Sequence, residues 1–172
     1  MKKLAFLTLG LLSALCFGQE KGKVESSLYN VQAGFAGAWF NTEIGLADQF
    51  ALRAELGVMP KWYVGNGTGW FLDASVEPRY YYNIKKRAEK GKDTHSNAAN
   101  FLTLGVSYRP EKSLGGSYVD YNSISIVPKW GMRRNLGNHF NYEVGAGLGF
   151  RHEFNHSNFG EIDLHLRIGY SF

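Results

Sequence analysis

The sequence predicts an all-β protein, a closed antiparallel transmembrane β-barrel of eight strands, and three observations predict it. Apolar and polar residues alternate with a period of two over most of the chain beyond Leu28, which gives each strand one greasy and one polar face. Glycine is abundant, at 21 residues, and aromatics reach 15%, a composition that suits strands. After the first 17 residues no apolar run approaches the ~20 residues that a membrane helix needs, whereas a closed barrel can cross lipid with every backbone group paired.

The opening, MKKLAFLTLGLLSALCFGQE, has two lysines, an apolar run from Leu4 to Phe17 and then the small Gly18. This is the layout of a secretory signal peptide over residues 1–18, and the run is too short and wrongly flanked for a membrane helix. Cys16 raises a lipid-anchored alternative, but the bulky Leu15 before it argues against that. Cleavage at Gly18 leaves one domain of about 150 residues, with a tail over 19–27 and the barrel over 28–172. It also removes the single cysteine, and with it disulfide and thiolate chemistry. Lys2 and Lys3 leave too, halving the formal net charge of +4, so the charge gives no reason to expect a nucleic-acid partner.

From Leu28 to Leu46, Val31, Ala33 and Phe35 are in phase, and so are Phe40, Ile44 and Leu46, but the phase slips by one between the two sets. A tight turn around Ala36, Gly37 and Ala38 explains the slip, as would a bulge inside one long strand. An even strand number favours two strands. FALRAELGVM then alternates Leu52, Ala54, Leu56 and Val58 with Arg53, Glu55 and Gly57. WFLDASVEPRYYYN sets Leu72, Ala74, Val76, Pro78, Tyr80 and Tyr82 against Asp73, Ser75, Glu77, Arg79 and Tyr81. ANFLTLGVSYRP sets Leu102, Leu104, Val106 and Tyr108 against Thr103, Gly105, Ser107 and Arg109.

YNSISIVPKWGMRRN has Ile124, Ile126, Pro128, Trp130 and Met132 on one face, with Ser123, Ser125, Lys129, Gly131 and Arg133 on the other. HFNYEVGAGLGFRHE separates Phe140, Tyr142, Val144, Ala146, Leu148 and Phe150 from Asn141, Glu143 and Arg151. The closing IDLHLRIGYSF separates Ile162, Leu164, Leu166, Ile168, Tyr170 and Phe172 from Asp163, His165, Arg167 and Ser171. Pro78 and Pro128 would ordinarily demote a strand to an edge or a bulge, but both sit on the apolar face at matching places, before a basic residue and an aromatic, so VEPRY and IVPKW read as a repeated device. Gly65–Gly69, Glu111–Ser117 and Phe154–Gly160 read as outward loops, LADQF and LGNHF as periplasmic turns. Strand parity puts the longest connection, Ile84 to Ala99, on the periplasmic side, where turns are usually short, unless a strand is miscounted.

The last strand, ending on Phe172 with Tyr170 and Ile168 in phase, resembles the assembly signal of bacterial outer-membrane barrels. The chain from Leu28 onward resembles the small OmpA/OmpX-like eight-stranded barrels. CFGQ, FALRAELG, EPRYYYN and WGMRRNLGNHFNYEVG are similar, more narrowly, to an uncharacterised outer-membrane group of Bacteroidota. This resemblance implies a place, the bacterial outer membrane, and partners: outer-membrane lipid and lipopolysaccharide, and the barrel-assembly machinery. It implies no reaction and no cofactor.

If the polar faces point inward, the lumen holds Arg53, Arg79, Lys129, Arg133, Arg151 and Arg167 against Glu55, Asp73, Glu77, Glu143 and Asp163, with His165 beside them. Eight strands leave room for little more than side chains, and near-balanced charge favours an ion-paired plug over a small pore, because pores mark selectivity with rings of one sign. Trp39, Trp62, Trp70, Tyr80, Tyr82, Trp130, Tyr142 and Tyr170 suit aromatic girdles at the lipid interfaces better than a sugar-stacking groove.

Lipid A deacylases are also eight-stranded barrels and carry a His-x-Ser-Asn element. Here His95-Ser96-Asn97 and His156-Ser157-Asn158 place His and Ser side by side, pointing apart on a strand. His152 and His156 are helically spaced in a strand-to-loop setting, which makes a poor metal site. The expectation is therefore a non-enzyme without metal or cofactor, a monomer that meets any extracellular ligand through its loops. The basic run from Lys85 to Lys92 reads as a solvated loop or a site for anionic headgroups. The main rival is a secreted lipocalin-like ligand binder, with its apolar residues inside.

Overall fold

The computed structural model describes residues 22–63, 67–114 and 121–172; the leader, with Cys16 and Gly18, and parts of two expected loops, residues 65–66 and 115–117, lie outside them. Eight antiparallel strands close into a barrel in which each pairs with its sequence neighbours and the last with the first. They are β1 (Ser27–Gly34), β2 (Gly37–Ala47), β3 (Phe50–Tyr63), β4 (Gly67–Tyr80), β5 (Asn100–Arg109), β6 (Ser123–Leu136), β7 (Phe140–Glu153) and β8 (Asn158–Ser171).

The stretch from Leu28 to Leu46 is two strands, and its turn is Phe35–Ala36, just before the expected place, with Gly34 opposite Gly37. Gly37 has φ +144, and an added Cβ would fall 2.2 Å from the Val58 carbonyl oxygen, so a bulkier residue could not make this turn. β8 starts at Asn158, so the expected loop Phe154–Gly160 shrinks to the turn before it. The two prolines behave alike. Between Val76↔Val106 and Arg79↔Thr103, and again between Ile126↔Phe150 and Lys129↔Gly147, the ladder is interrupted but its register is unchanged. Pro78 and Pro128 thus sit inside continuous strands, neither edge nor bulge. Each lacks an N–H for the next strand, and Thr103 Oγ1 donates to the freed Pro78 carbonyl at 2.9 Å.

Residues alternate between an outward apolar face and an inward polar one. Leu164, Leu166 and Ile168 are 67%, 58% and 59% exposed on the outside, while Arg53, Arg133 and Glu143 are 0% exposed within. The barrel has two unlike ends. The mouth carries the β1–β2, β3–β4, β5–β6 and β7–β8 connections. The base carries the start of β1 and the end of β8, the turns at Asp48–Gln49 and Gly137–His139, and the long β4–β5 connection.

That connection shares its end of the barrel with the start of β1 and the end of β8, but it is not a free loop. A short helix, α1 (Ile84–Glu89), buries Ile84 beneath the barrel, and a 3-10 turn (His95–Asn97) enters the lumen with Ser96 and Asn97 almost fully buried. Val24, Ala51, Tyr81, Ile84, Ala99 and Phe101 pack together as an apolar floor. The tail before β1 is stitched to it: Val24 N–H donates to Asp48 O (2.9 Å), Glu25 N–H to Asn97 Oδ1 (2.7 Å), and Ser96 N–H back to a Glu25 carboxylate oxygen (3.2 Å).

Candidate functional site

The inward faces build a charged column above that floor. At its centre Glu143, on β7, accepts from three arginines on three other strands: Arg53 Nη1 at 2.9 Å, both Arg79 terminal nitrogens at 3.0 Å, and Arg133 Nε at 2.9 Å. Glu43, on β2, faces the same arginines and also accepts from Tyr81 Oη (2.6 Å) and Asn97 Nδ2 (2.9 Å). The plug therefore completes the network, since Asn97 and Tyr81 come from the β4–β5 connection. Arg79 also bonds Glu77 and lies 4.0 Å over the Phe101 ring.

Toward the mouth, Lys129 bridges Glu77 (2.5 Å) and Asp163 (3.0 Å), and His165 Nδ1 lies 3.0 Å from Asp163. Arg167 pairs with Glu55 at 2.8 Å, Glu55 pairs with Arg53, and the Arg167 guanidinium stacks 3.8 Å above Trp39. Highest in the column, Arg109 pairs with Asp73 at 2.6 Å, and Glu161 is shared by Arg109 (3.3 Å) and Arg151 (2.6 Å). All twelve sequence-derived lumen residues stand in this column. The structure adds three that sequence reasoning missed, Glu43, Arg109 and Glu161, which among the described residues turns six bases against five acids into seven of each. Glu43 shared the polar phase of Asn41, and Arg109 that of Ser107, so parity alone would have found both.

A cavity of about 310 Å³ occupies the mouth half of the lumen, walled by Asp73, Arg109, Lys129, Arg151, Glu161 and Asp163 among others. Glu43, Arg79, Arg133 and Glu143 do not line it, so the space stops above the central cluster. Removing charges from water costs several kcal/mol each unless partners and hydrogen bonds compensate. Here every carboxylate of the central cluster meets at least two cationic groups, an arrangement that can hold closed a path but has no ring of one sign to select ions.

Trp39 corrects the girdle expectation: it is buried in the lumen, while Trp62, Trp70, Tyr80, Tyr82, Trp130 and Tyr170 face outward. Phe172 is exposed and its N–H donates to Tyr29 O at 3.0 Å, tying the last residue to β1. The expectation that His95 and Ser96 point apart also fails, because the 3-10 turn brings Ser96 Oγ to 2.9 Å from His95 Nδ1. Ser96 is nevertheless 2% exposed, beneath the Glu25 carboxylate, where no substrate carbonyl can reach it. His152 bonds Asn158 and His156 stacks on Tyr121, so the two rings are engaged separately.

No family profile matches the chain, and neither characterised proteins nor solved structures yield a match.

Proposed function

We propose that this chain is an integral barrel of the bacterial outer membrane, with a lumen closed to ions by its charge network and plug, serving a structural or docking role through its mouth loops. The observation that carries the reading is the radial inversion of polarity. An outward apolar face is what hydrocarbon requires of a spanning strand, whereas the lipocalin-like rival needs Arg53, Glu77 and Arg167 on the surface, and they are inside. Aromatic side chains at both ends of the outer face suit the two lipid interfaces.

Outer-membrane lipid and lipopolysaccharide then surround the band, the barrel-assembly machinery reads β8 during insertion, and a monomer suffices because closure leaves no free strand edge. The role is non-catalytic: Ser96, the hydroxyl partner of His95, is buried within the plug. Expression followed by membrane fractionation tests this. Recovery with outer membranes, and faster migration in SDS gels without heating than after it, is the expected result. Recovery in the soluble periplasmic fraction would contradict it.

A further inference from the structure

Four cations of the β4–β5 connection converge on one concavity at the base. Lys86, Arg87, Lys90 and Lys92, with Tyr82 and Asn83, line a pocket of about 530 Å³ that contains no carboxylate. Lys85 points elsewhere, pairing with Asp48 at 3.0 Å, and Glu89 does not line the pocket. Among the described residues no carboxylate pairs with Lys86, Lys90 or Lys92. The Asp93 carboxylate accepts instead from His95 N–H (2.9 Å) and Asn135 Nδ2 (2.6 Å). Lys86 on α1 and Lys90, the residue that caps it, are four apart, a like-charge pair that is unfavourable unless an anion lies between them.

The wall of the pocket holds an unspent donor. The Tyr82 hydroxyl accepts from Asn100 Nδ2 and from Trp130 Nε1, each at 3.0 Å, so its own O–H remains to be given. Converging cations and a free hydroxyl donor suit a phosphate oxygen.

The height of the pocket says which phosphate. Phe50, Tyr80, Leu102 and Trp130 are successive cross-strand neighbours on β3, β4, β5 and β6, and all face outward as one row. Phe50 and Tyr80 stack at 4.7 Å. Amphipathic rings such as Tyr80 and Trp130 at the edge of an apolar band mark the headgroup level of a bilayer, and Tyr82 stands two residues beyond Tyr80 on the base side. We infer that Tyr82, Lys86, Arg87, Lys90 and Lys92 form a site for the phosphodiester headgroup of an anionic phospholipid, in the leaflet on the side where β1 starts and β8 ends. The inference rests on the outer-membrane reading. Bound there, the lipid clamps α1, and through Ile84 the plug, against the barrel floor.

Purified barrel reconstituted with phosphatidylglycerol and phosphatidylcholine of matched chains, followed by native mass spectrometry, tests the site. Wild type should retain phosphatidylglycerol at least about tenfold over phosphatidylcholine. The triple variant Lys86→Gln, Lys90→Gln, Lys92→Gln should bring the two within about twofold, Tyr82→Phe should weaken the preference, and Lys85→Gln should leave it intact. An inserted, heat-modifiable barrel without preference overturns the site alone, and so does a loss in Lys85→Gln equal to that of the triple variant. Glycerol 3-phosphate binding as tightly as the lipid overturns the lipid as ligand. A wild-type barrel that enters neither lipid overturns the membrane reading and the site with it.

Discussion

Glu143 is the residue on which the lumen turns, because three guanidinium groups share its two oxygens in a space where none of them is exposed to solvent. Breaking a buried pair by removing one partner leaves the other uncompensated, which costs more than the pair contributes. Glu143→Ala should therefore destabilise the barrel by about 3 kcal/mol or more, measured by urea denaturation in micelles. Glu161→Ala, in the more exposed upper tier, should cost clearly less. Equal losses would mean that the column is not graded. Gly57 tests the packing of the misassigned Trp39: an added Cβ would lie 2.3 Å from Trp39 Cδ1. Gly57→Ala should then cost about 1–3 kcal/mol through overpacking, whereas Gly137→Ala, with nothing near its Cβ, should cost only what its positive φ imposes.

Among elements, β8 and the plug respond to different signals. The outward phase of β8 ends on Phe172, which is exposed and bonded through its backbone to β1, while Ser171 points inward and accepts from Asn141 Nδ2 at 2.8 Å. Deleting Phe172 should cut the yield of membrane-inserted barrel severalfold, and Ser171→Ala should leave it nearly unchanged; equal yields would count against β8 as the insertion signal.

The tail before β1 depends on Glu25, whose carboxyl burial holds above its ordinary value of 4.5 despite the Ser96 N–H and the nearby His95. A docked group with a raised pKa binds more protons than the undocked one, so stability falls as pH climbs from 4.5 through the raised value and is level beyond it. Protease accessibility of the tail should rise across that window in wild type, and much less in Glu25→Gln.

The strands were legible because parity survives in the sequence, down to the slip before Trp39. The plug was not, since Asn97 reaches Glu43 and Glu25 only once 54 and 72 residues of chain have folded between them. No local pattern announces such a contact. For the same reason the basic run looked like a loop, when Ile84 was already the anchor of a helix.

At the scale of the whole molecule, polarity is inverted and one end is stoppered. Eight strands enclose a column whose upper half is a cavity and whose lower half is filled by ion pairs resting on Tyr81, Phe101 and the plug. Eight strands were legible, and so was a charged interior; the seven-to-seven balance and the unlike ends were not, because they depend on which strand termini the lumen includes and on what folds into the base. Conduction would need a continuous aqueous path, and the Glu143 and Glu43 clusters interrupt it. Single-channel recording of the purified wild-type barrel in planar bilayers tests this most directly. The closed column predicts no resolvable steps in barrels shown to be inserted, with leak appearing only when Glu143 is removed. Steady, ion-selective conductance in the unmutated protein would contradict it.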